Sequence, residues 1–277
     1  MSQGDSLFTD RRHLTTAAYP DSANLAARAN IYRHQQPPLD LIGWALDQVR
    51  WDGTERVLDV GCGPGRYLRR LAKRPGLRLI GVDLSQGMLR DLESGWDTAL
   101  PRPLLAVADA QALPLPDASC DVALAMHMLY HVPDIEQAAR ELRRVLRLGG
   151  ILLAVTNGAG HTRELNKLYN AAVACVSGRR PTSERWSSRF GLENGAALLR
   201  SAFAQVDRHD VESTLEIPEP APALAYLNST RQTREPDLPG GVTWDAVAAE
   251  VEQMLEETIA REGVFRVRTH AGIFVCR

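Results

Sequence analysis

The sequence predicts an α/β fold in which helices cover both faces of a mostly parallel, seven-stranded sheet. From residue 56 onwards, short apolar runs that suit buried strands alternate with segments that suit helices, and this alternation is typical of a doubly wound parallel sheet. With 277 residues, of which 44% are hydrophobic and 24% charged, the chain has the composition of one large globular domain rather than of a disordered or fibrous protein.

The N-terminal part is expected to place helices outside the sheet. Residues 22–36 and 39–49 read as two helices that the Pro37-Pro38 pair separates. In the second helix, apolar side chains recur at three- and four-residue steps and form one stripe that can pack on the sheet. Residues 1–18 are polar and irregular, so no regular element is predicted for them.

The remaining elements follow from the apolar patterning of the rest of the chain. Residues 135–146 predict a helix because their apolar side chains share one face, and Gly149-Gly150 stands where that helix is expected to end. Thr243 is the expected N-cap of the last helix. Prolines between residues 218 and 241 predict a surface loop around a short helix. The predicted strands are 57–60, 77–82, 104–108, 122–126, 151–155, 206–217 and 264–276. The predicted helices are 66–73, 85–93, 135–146, 163–176, 195–203 and 243–262.

Charge and composition argue against several classes of partner. The net charge of −2 provides no global field that would attract nucleic acid or an anionic membrane. No apolar run approaches the roughly 18 residues needed to span a bilayer, and residues 1–20 lack a leader pattern, so a cytoplasmic protein is expected. The four cysteines lie more than fifty residues apart, which excludes a Cys-x-x-Cys metal pair and a dense disulfide framework.

The most informative segment is a buried strand that runs into a glycine turn and then a helix, at residues 57–65 (VLDVGCGPG). Glycines let the chain turn sharply there and let a ligand approach the backbone, because no Cβ is in the way. Asp83 ends the next strand, 22 residues after Gly61, where a carboxylate can accept both hydroxyl hydrogens of a ribose. The pattern predicts a nucleoside-binding site.

The spacing of this turn separates two classes of cofactor. In the dinucleotide fingerprint G-x-G-x-x-G the third glycine is the sixth residue, whereas here Gly65 is the fifth residue and Arg66 the sixth. Asp59, two residues before the first glycine, would repel a phosphate but suits an ammonium or sulfonium group. Asp109, after the third strand, can accept a hydrogen bond from an exocyclic amine such as that of adenine. These carboxylates predict a cationic nucleoside rather than NAD.

Residues 57–157 resemble the class I S-adenosylmethionine-dependent methyltransferases, particularly the small-molecule type. The motifs that carry the resemblance are VLDVGCGPGRYLRRLA, IGVDLSQGML, ADAQALPLPDASCDVALAMHMLYHVPD and ELRRVLRLGGILLAVTN. The resemblance implies S-adenosylmethionine (SAM) as cofactor and S-adenosylhomocysteine (SAH) as product. It also implies in-line methyl transfer to a small-molecule acceptor such as a specialised metabolite, and a Rossmann-like sheet whose last strand is antiparallel. Leu148 departs from the family pattern, which usually has proline at that structural position.

The same resemblance implies the contacts of the cofactor. The glycine turn would pass under the methionine part of SAM, with Asp59 near it. Asp83 would hold the ribose, and Asp109 would read the adenine together with the amide of Ala110. The implied cofactor-binding set is Asp59, Gly61, Cys62, Gly63, Asp83, Leu84, Asp109, Ala110 and Met126.

The elements then divide one domain into four parts. Residues 1–50 are expected to form N-terminal lid helices, since this segment often closes over the site in the family. Residues 51–157 form the cofactor-binding core. Residues 158–241 form an insertion on the substrate side, after the fifth strand, that includes one core strand. Residues 242–277 supply the C-terminal helix and the final strand.

Candidate catalytic groups are expected at the carboxyl ends of the strands, beside the cofactor. His127 and His131 follow the fourth strand, and Tyr19 lies in the N-terminal segment. His131 is the first candidate for a general base, because neutral imidazole accepts a proton near pH 7. Packing or cofactor contact is the alternative role for both histidines. Met128 stands where a zinc-protease motif needs glutamate, so no metal site is expected.

Tyr32, Tyr130 and His161 are the expected contacts of the acceptor. They belong to the N-terminal segment, to the region after the fourth strand and to the start of the insertion. Tyr19 and Tyr32 have plain helix packing as their alternative. Further aromatic side chains in the insertion would hold a planar or hydrophobic acceptor, or else form the insertion's own core. These are Tyr169, Trp186, Phe190 and Tyr226.

Two other functions stay open at the level of sequence. An RNA methyltransferase would share the cofactor site, but the net charge, the lack of a lysine-rich patch and the lack of an N-terminal cysteine-rich zinc module argue against nucleic acid as a partner. A non-catalytic nucleoside-binding protein could keep the same glycine turn. Turnover with an acceptor separates this second alternative from an enzyme.

Overall fold

A computed structural model of the protein describes residues 7–179 and 189–277. Its strands are β1 (Gln35–Gln36), β2 (Arg56–Val60), β3 (Arg78–Asp83), β4 (Leu104–Val107), β5 (Cys120–Met126), β6 (Leu146–Asn157), β7 (Val206–Ile217) and β8 (Phe265–Cys276). They form one sheet in the order β1-β7-β8-β6-β5-β2-β3-β4.

The direction of the strands confirms the predicted fold class. Strands β2 to β6 pair in parallel with their neighbours, and β8 is antiparallel to both β6 and β7. The sheet has one more strand than predicted, because Gln35 and Gln36 pair with Leu215 and Thr214 at its edge. The sequence placed these two residues in a helix. Gln36 precedes Pro37, and the residue before a proline favours an extended backbone.

The helices lie on both faces of the sheet and bury one apolar cluster on each face. Ser85, Asp134 and Thr243 begin three of them as N-caps, each with a side-chain oxygen that accepts a backbone N–H of the first turn. The helices are Arg11–His13, Ala23–Asn30, Leu41–Leu46, Arg66–Leu71, Gln86–Ser94, Ile135–Val145, Arg163–Ser177, Gly195–Leu199, Pro220–Asn228, Arg231–Arg234 and Trp244–Glu262. Single turns of other helical types are Leu14–Ala18, Ile31–His34, Leu129–His131 and Glu235–Asp237.

Two further local predictions were wrong. The pair Gly149-Gly150 lies inside β6 and does not end the preceding helix. There, residues 147–150 bulge between two registered pairs of β6 with β5, and Gly149 adopts a φ of 76° that a bulge of this kind favours. The N-terminal segment is also more regular than expected, because Leu14 and Ala18 bury their side chains and form a π-helical turn.

A third apolar cluster attaches the region after β6 to the sheet. It joins the helices Arg163–Ser177, Pro220–Asn228 and Trp244–Glu262 to β7 and β8, with Ile31 of the N-terminal part included. These elements therefore stand beside the carboxyl end of β6. Among the described residues, no helix has both the length and the apolar composition needed to cross a membrane.

Candidate active site

A cavity of about 680 Å³ lies at the carboxyl ends of β2, β3, β5 and β6, where ligands bind in open α/β sheets. The glycine turn after β2, the helix Arg163–Ser177 and residues 226–237 all contribute to its lining. The N-terminal segment covers it. Of the predicted cofactor-binding, catalytic and acceptor-contact residues, those that line the cavity are Tyr19, Tyr32, Asp59, Gly61, Cys62, Gly63, Asp83, Leu84, Asp109, Met126, His127, Tyr130, His131 and His161. Ala110 is buried and lies outside the lining.

The glycine turn has its conformation because only glycine fits it. The N–H groups of Gly61 and Cys62 both donate to the carbonyl of Val82, at 2.8 and 3.0 Å, which ties the turn to the end of β3. Gly61 has a φ of 67°, and a Cβ there would lie 2.8 Å from Cβ of Met128. The backbone of the turn therefore passes under the cavity with no side chain at Gly61 to block a ligand.

Asp83 is fixed at the mouth of this turn. Its Oδ1 accepts the N–H of Ser85 and its Oδ2 accepts the N–H of Gly63, both at 2.8 Å. Burial raises the pKa of Asp83, and these N–H donors oppose the rise. Each carboxylate oxygen can accept two hydrogen bonds, so the carboxylate retains capacity to accept from a hydroxyl group.

Asp59 is a buried carboxylate that has no partner among the described residues. Its side chain lines the cavity, the residue is 1% exposed, and neither carboxylate oxygen has a hydrogen bond. Burial raises its pKa well above the ordinary value, and the nearby charge of Asp83 raises it further. A buried charge without a partner is costly, and a cationic group in the cavity would remove that cost. The residues therefore fit the ammonium-bearing end of SAM.

Asp109 is the third carboxylate that lines the cavity near the strand ends. Its Oδ1 accepts the N–H of Gln111 at 2.9 Å, and its Oδ2 lies 3.4 Å from Nη2 of Arg11. Arg11 belongs to the N-terminal segment, so this ion pair connects the cover of the cavity to the carboxylate that was predicted to read adenine. Both partners are partly exposed, and an exposed ion pair of this kind is weak.

Another part of the lining contains a chain of hydrogen bonds from the N-terminal segment to the end of β5. Nη1 of Arg28 donates to the hydroxyl of Tyr19 at 2.8 Å, and that hydroxyl lies 3.0 Å from Nε2 of His131. Nδ1 of His131 lies 3.0 Å from the carbonyl of Phe8. Burial lowers the pKa of His131 to about 4, so the imidazole is neutral near pH 7.

A second tyrosine–histidine pair stands on the same side of the cavity. The hydroxyl of Tyr32 lies 2.8 Å from Nε2 of His161, and Nδ1 of His161 contacts the backbone of His270. Burial lowers the pKa of His161 to about 3. His127, held in the left-handed region with a φ of 57°, has its pKa lowered to about 4 by burial and then by Arg66.

The N-terminal segment packs closely on the helix that follows β3. The carbonyl of Tyr19 accepts the hydroxyl of Ser85 at 2.8 Å, and the N–H of Ser22 donates to Asp91 at 2.8 Å. A Cβ on Gly87 would lie 1.7 Å from the carbonyl oxygen of Pro20. Gly87 therefore allows the segment to lie against the helix that borders the cavity.

The insertion contributes fewer aromatic side chains to the cavity than the sequence suggested. Tyr169 and Tyr226 line it. Phe190 is fully buried and packs edge-on against Phe274, with ring centres 5.9 Å apart. Trp186 lies outside the described residues.

Sequence reasoning missed several cavity residues, among them Arg28 and Arg234. Arg28 is four residues before Tyr32, so the two share a helix face if the predicted helix 22–36 is assumed, and this spacing could have indicated it. Nothing in the pattern around Arg234 distinguishes it from Arg231, which points away and pairs with Glu235 at 2.7 Å.

Comparison with known proteins agrees with this geometry. The methyltransferase domain family matches residues 58–154. A malonyl-[acyl-carrier protein] O-methyltransferase of Geobacter sulfurreducens is 32% identical over 230 residues, which are 80% of this chain and 80% of that protein. The 27-O-demethylrifamycin SV methyltransferase of Amycolatopsis mediterranei is 38% identical over 66% of this chain and 78% of that protein.

A solved structure shares the fold at lower identity. Phosphoethanolamine N-methyltransferase 2 of Haemonchus contortus, in complex with S-adenosyl-L-methionine, aligns with a TM-score of 0.55 and 18% identity, over all of this chain and 60% of that one. Together with the match to the Geobacter enzyme over most of both chains, the glycine turn and its three carboxylates identify the protein as a member of the class I S-adenosylmethionine-dependent methyltransferases.

Proposed function

We propose that this enzyme transfers the methyl group of SAM to an oxygen atom of a small-molecule acceptor, such as a specialised metabolite. The observation that carries the proposal is the unpartnered carboxylate of Asp59 in a single cavity that tyrosine, histidine and arginine side chains also line. Such a cavity can hold a cationic cofactor and an acceptor side by side. Oxygen is the proposed target because the names of two relatives specify O-methyl chemistry.

The carboxylates at the strand ends divide the recognition of SAM among them. Asp59 would accept the ammonium group, which supplies the partner that this buried charge lacks. Asp83 would accept the ribose hydroxyls with the lone pairs that Gly63 and Ser85 leave free. Asp109, with the amide of Ala110, would bind the adenine. Further contacts are proposed for Gly61, Cys62, Leu84 and Met126.

The tyrosine–histidine pairs would position the acceptor. When bound, SAM supplies a methyl group that its sulfonium already makes electrophilic, so the protein contributes mainly orientation and exclusion of water. His131, His127 and Tyr19 are the proposed catalytic residues. The low pKa of His131 makes it a weak base, but it keeps the imidazole neutral near pH 7, so that Nε2 can accept a hydrogen bond. Tyr32, Tyr130 and His161 would form the rest of the acceptor wall.

Residues 51–157 are the proposed cofactor-binding core. The roles proposed for the other segments follow from these contacts. Residues 1–50 would act as a lid, since the backbone of Tyr19 and Ser22 is tied to the helix beside the cofactor site. Residues 158–241 would form the acceptor side of the cavity. Residues 242–277 complete the sheet and brace that side through the helix Trp244–Glu262 and β8.

Isotope-labelled SAM tests this proposal. The purified protein is incubated with methyl-labelled SAM and a fractionated metabolite extract, and labelled products are identified by mass spectrometry. We expect a labelled O-methyl product of low molecular mass that is absent with the Asp83→Ala variant. Label in added RNA instead, or SAH binding with no labelled product in any fraction, would favour the RNA methyltransferase or the non-catalytic binding protein respectively.

A further inference from the structure

Two arginine side chains reach the acceptor side of the cavity without an acidic partner. Nε of Arg28 donates to Oγ of Ser229 at 3.2 Å, its Nη1 to the hydroxyl of Tyr19 at 2.8 Å, and its Nη2 to the carbonyl of Ser229 at 2.9 Å. Nη2 of Arg234 donates to Oδ1 of Asn166 at 2.7 Å. All of these acceptors are neutral, so none of them supplies a negative charge that balances either guanidinium.

The nearest acidic residues along the chain do not neutralise Arg234. Glu235 turns to the other side and pairs with Arg231 at 2.7 Å. Asp237 also lines the cavity, but within the described residues it lies more than 4.0 Å from both guanidinium groups. Arg234 instead stacks over Tyr169, with its guanidinium carbon 4.6 Å from the ring centre.

Both arginines retain N–H groups that have no partner among the described residues, and both side chains line the same cavity. A guanidinium has five N–H groups. Three on Arg28 and one on Arg234 have partners among the described residues. Two N–H groups of Arg28 and four of Arg234 therefore have none. Burial lowers the pKa of Arg234, and the positive charge of Arg28 lowers it further. Two partly buried cations that repel each other across a cavity favour an anion between them.

We propose that Arg28 and Arg234 form a binding subsite for a carboxylate of the acceptor. The planar fork of each guanidinium matches the two oxygens of a carboxylate, and Tyr169 and Tyr226 beside them can contact an aromatic or apolar body. A carboxylate needs no general base to become anionic near pH 7, which agrees with the low basicity of His131. This inference rests on the proposed function and names the chemical class of its acceptor.

SAM carries a carboxylate of its own, and the position of Arg234 separates the two sources. Its contacts, Asn166 and Tyr169, belong to the helix Arg163–Ser177, which follows β6, and not to the glycine turn after β2. Calorimetry with SAH and with 5′-methylthioadenosine, which lacks the amino-acid carboxylate, tests this separation. We expect Arg234→Gln to leave both affinities unchanged. A loss of SAH affinity of about tenfold with no change for 5′-methylthioadenosine would assign the subsite to the cofactor and overturn the proposal.

Benzoate and benzamide, of nearly the same shape but different charge, test the subsite directly. Each is titrated into the protein saturated with SAH, and we expect benzoate to bind at least about tenfold more tightly than benzamide. Equal affinity, or no binding of benzoate, would overturn the proposal. So would inorganic phosphate that binds more tightly than benzoate through the same arginines, because the subsite would then be selective for phosphate.

Matched variants assign the preference to these arginines. Arg28→Gln and Arg234→Gln should abolish the preference for benzoate, whereas Arg33→Gln and Arg231→Gln should keep it, because Arg33 and Arg231 lie outside the cavity. The affinity of Arg234→Gln for SAH reports that the variant is folded. A preference for benzoate that survives in both cavity variants would overturn the proposal. Complete absence of SAH binding by the unmodified protein would instead refute the proposed function.

Discussion

The hydroxyl of Tyr19 lies 3.0 Å from Nε2 of His131, although the two residues are 112 positions apart in the chain. Nδ1 of His131 faces the carbonyl of Phe8, which can only accept, so Nδ1 carries the proton and Nε2 accepts from Tyr19. Arg28 donates to the same tyrosine hydroxyl and fixes its direction. The N-terminal segment thus sets the tautomer of a histidine that stands at the end of β5.

Replacing Tyr19 with phenylalanine tests the role of this contact. The Tyr19→Phe variant leaves Nε2 of His131 and one N–H of Arg28 without their partner. Because a lost hydrogen bond to a charged group costs about 1.5–3 kcal/mol, we expect kcat with the natural acceptor to fall about tenfold or more. The affinity for SAH should stay within about threefold. An unchanged kcat would reduce Tyr19 to a packing residue.

The pH dependence of the reaction should lack a histidine limb near neutrality. Burial lowers the pKa of His127 and of His131 to about 4 and that of His161 to about 3, so all three are neutral throughout the range from about pH 6 to 8. With SAM saturating, we therefore expect no inflection of kcat across that range that depends on these histidines. An inflection near pH 6.5, the ordinary value for histidine, that disappears in His131→Gln would contradict this account.

The same three histidines predict how stability depends on pH. Their pKa values are lower in the folded chain than the value of about 6.5 in the unfolded chain, so the unfolded state binds more protons between these values. The free energy of unfolding is therefore highest above about pH 6.5, as far as these groups determine it. It decreases as the pH falls towards about 4 for His127 and His131, and towards about 3 for His161. Urea unfolding at several pH values should show this decrease, of about 3–5 kcal/mol for each histidine once its titration is complete. The free energy of unfolding of the His161→Gln variant should decrease less than that of the parent as the pH falls. A variant with the same pH dependence as the parent would contradict this prediction.

Asp59 predicts opposite effects on stability and on binding. In the free protein, the unpartnered carboxylate is a cost that Asp59→Asn removes, so the free energy of unfolding should rise by about 1–3 kcal/mol. The affinity for SAH should fall about tenfold or more, because the ammonium group loses its charged partner. Asp52→Asn is the control, since Asp52 is outside the cavity lining and its carboxylate forms an exposed ion pair with Arg50. A free Asp59→Asn protein that is less stable than the parent would show that Asp59 has a structural partner instead.

The features that the sequence predicted correctly depend on short-range chemistry. The N-cap at Thr243 can be predicted from the sequence because it depends on one residue at the start of a helix. The glycine turn and Asp83 occupy adjacent strand ends in a parallel sheet, so the distance between them follows from the topology. Arg28 and Arg234 could not be found in this way. They meet in the cavity through the packing of the N-terminal segment and the insertion, and their types alone match many surface arginines of this chain.

Sequence also could not indicate how the N-terminal segment is held. Gly87 looks like an ordinary helix residue in the sequence, but it is where the carbonyl of Pro20 approaches the helix. The edge strand Gln35–Gln36 depends on the position of Leu215 in β7, which no local pattern reports.

Binding of SAH to the purified protein and to its Asp83→Ala variant, measured by calorimetry, tests the central claim most directly. Asp83 would supply both hydrogen bonds to the ribose, and bonds to a charged group are worth about 1.5–3 kcal/mol each. The account predicts that the parent binds SAH in preference to NAD and that the variant, folded by circular dichroism, binds SAH at least about tenfold more weakly. NAD binding more tightly than SAH, or an unchanged dissociation constant in a folded Asp83→Ala protein, would contradict it.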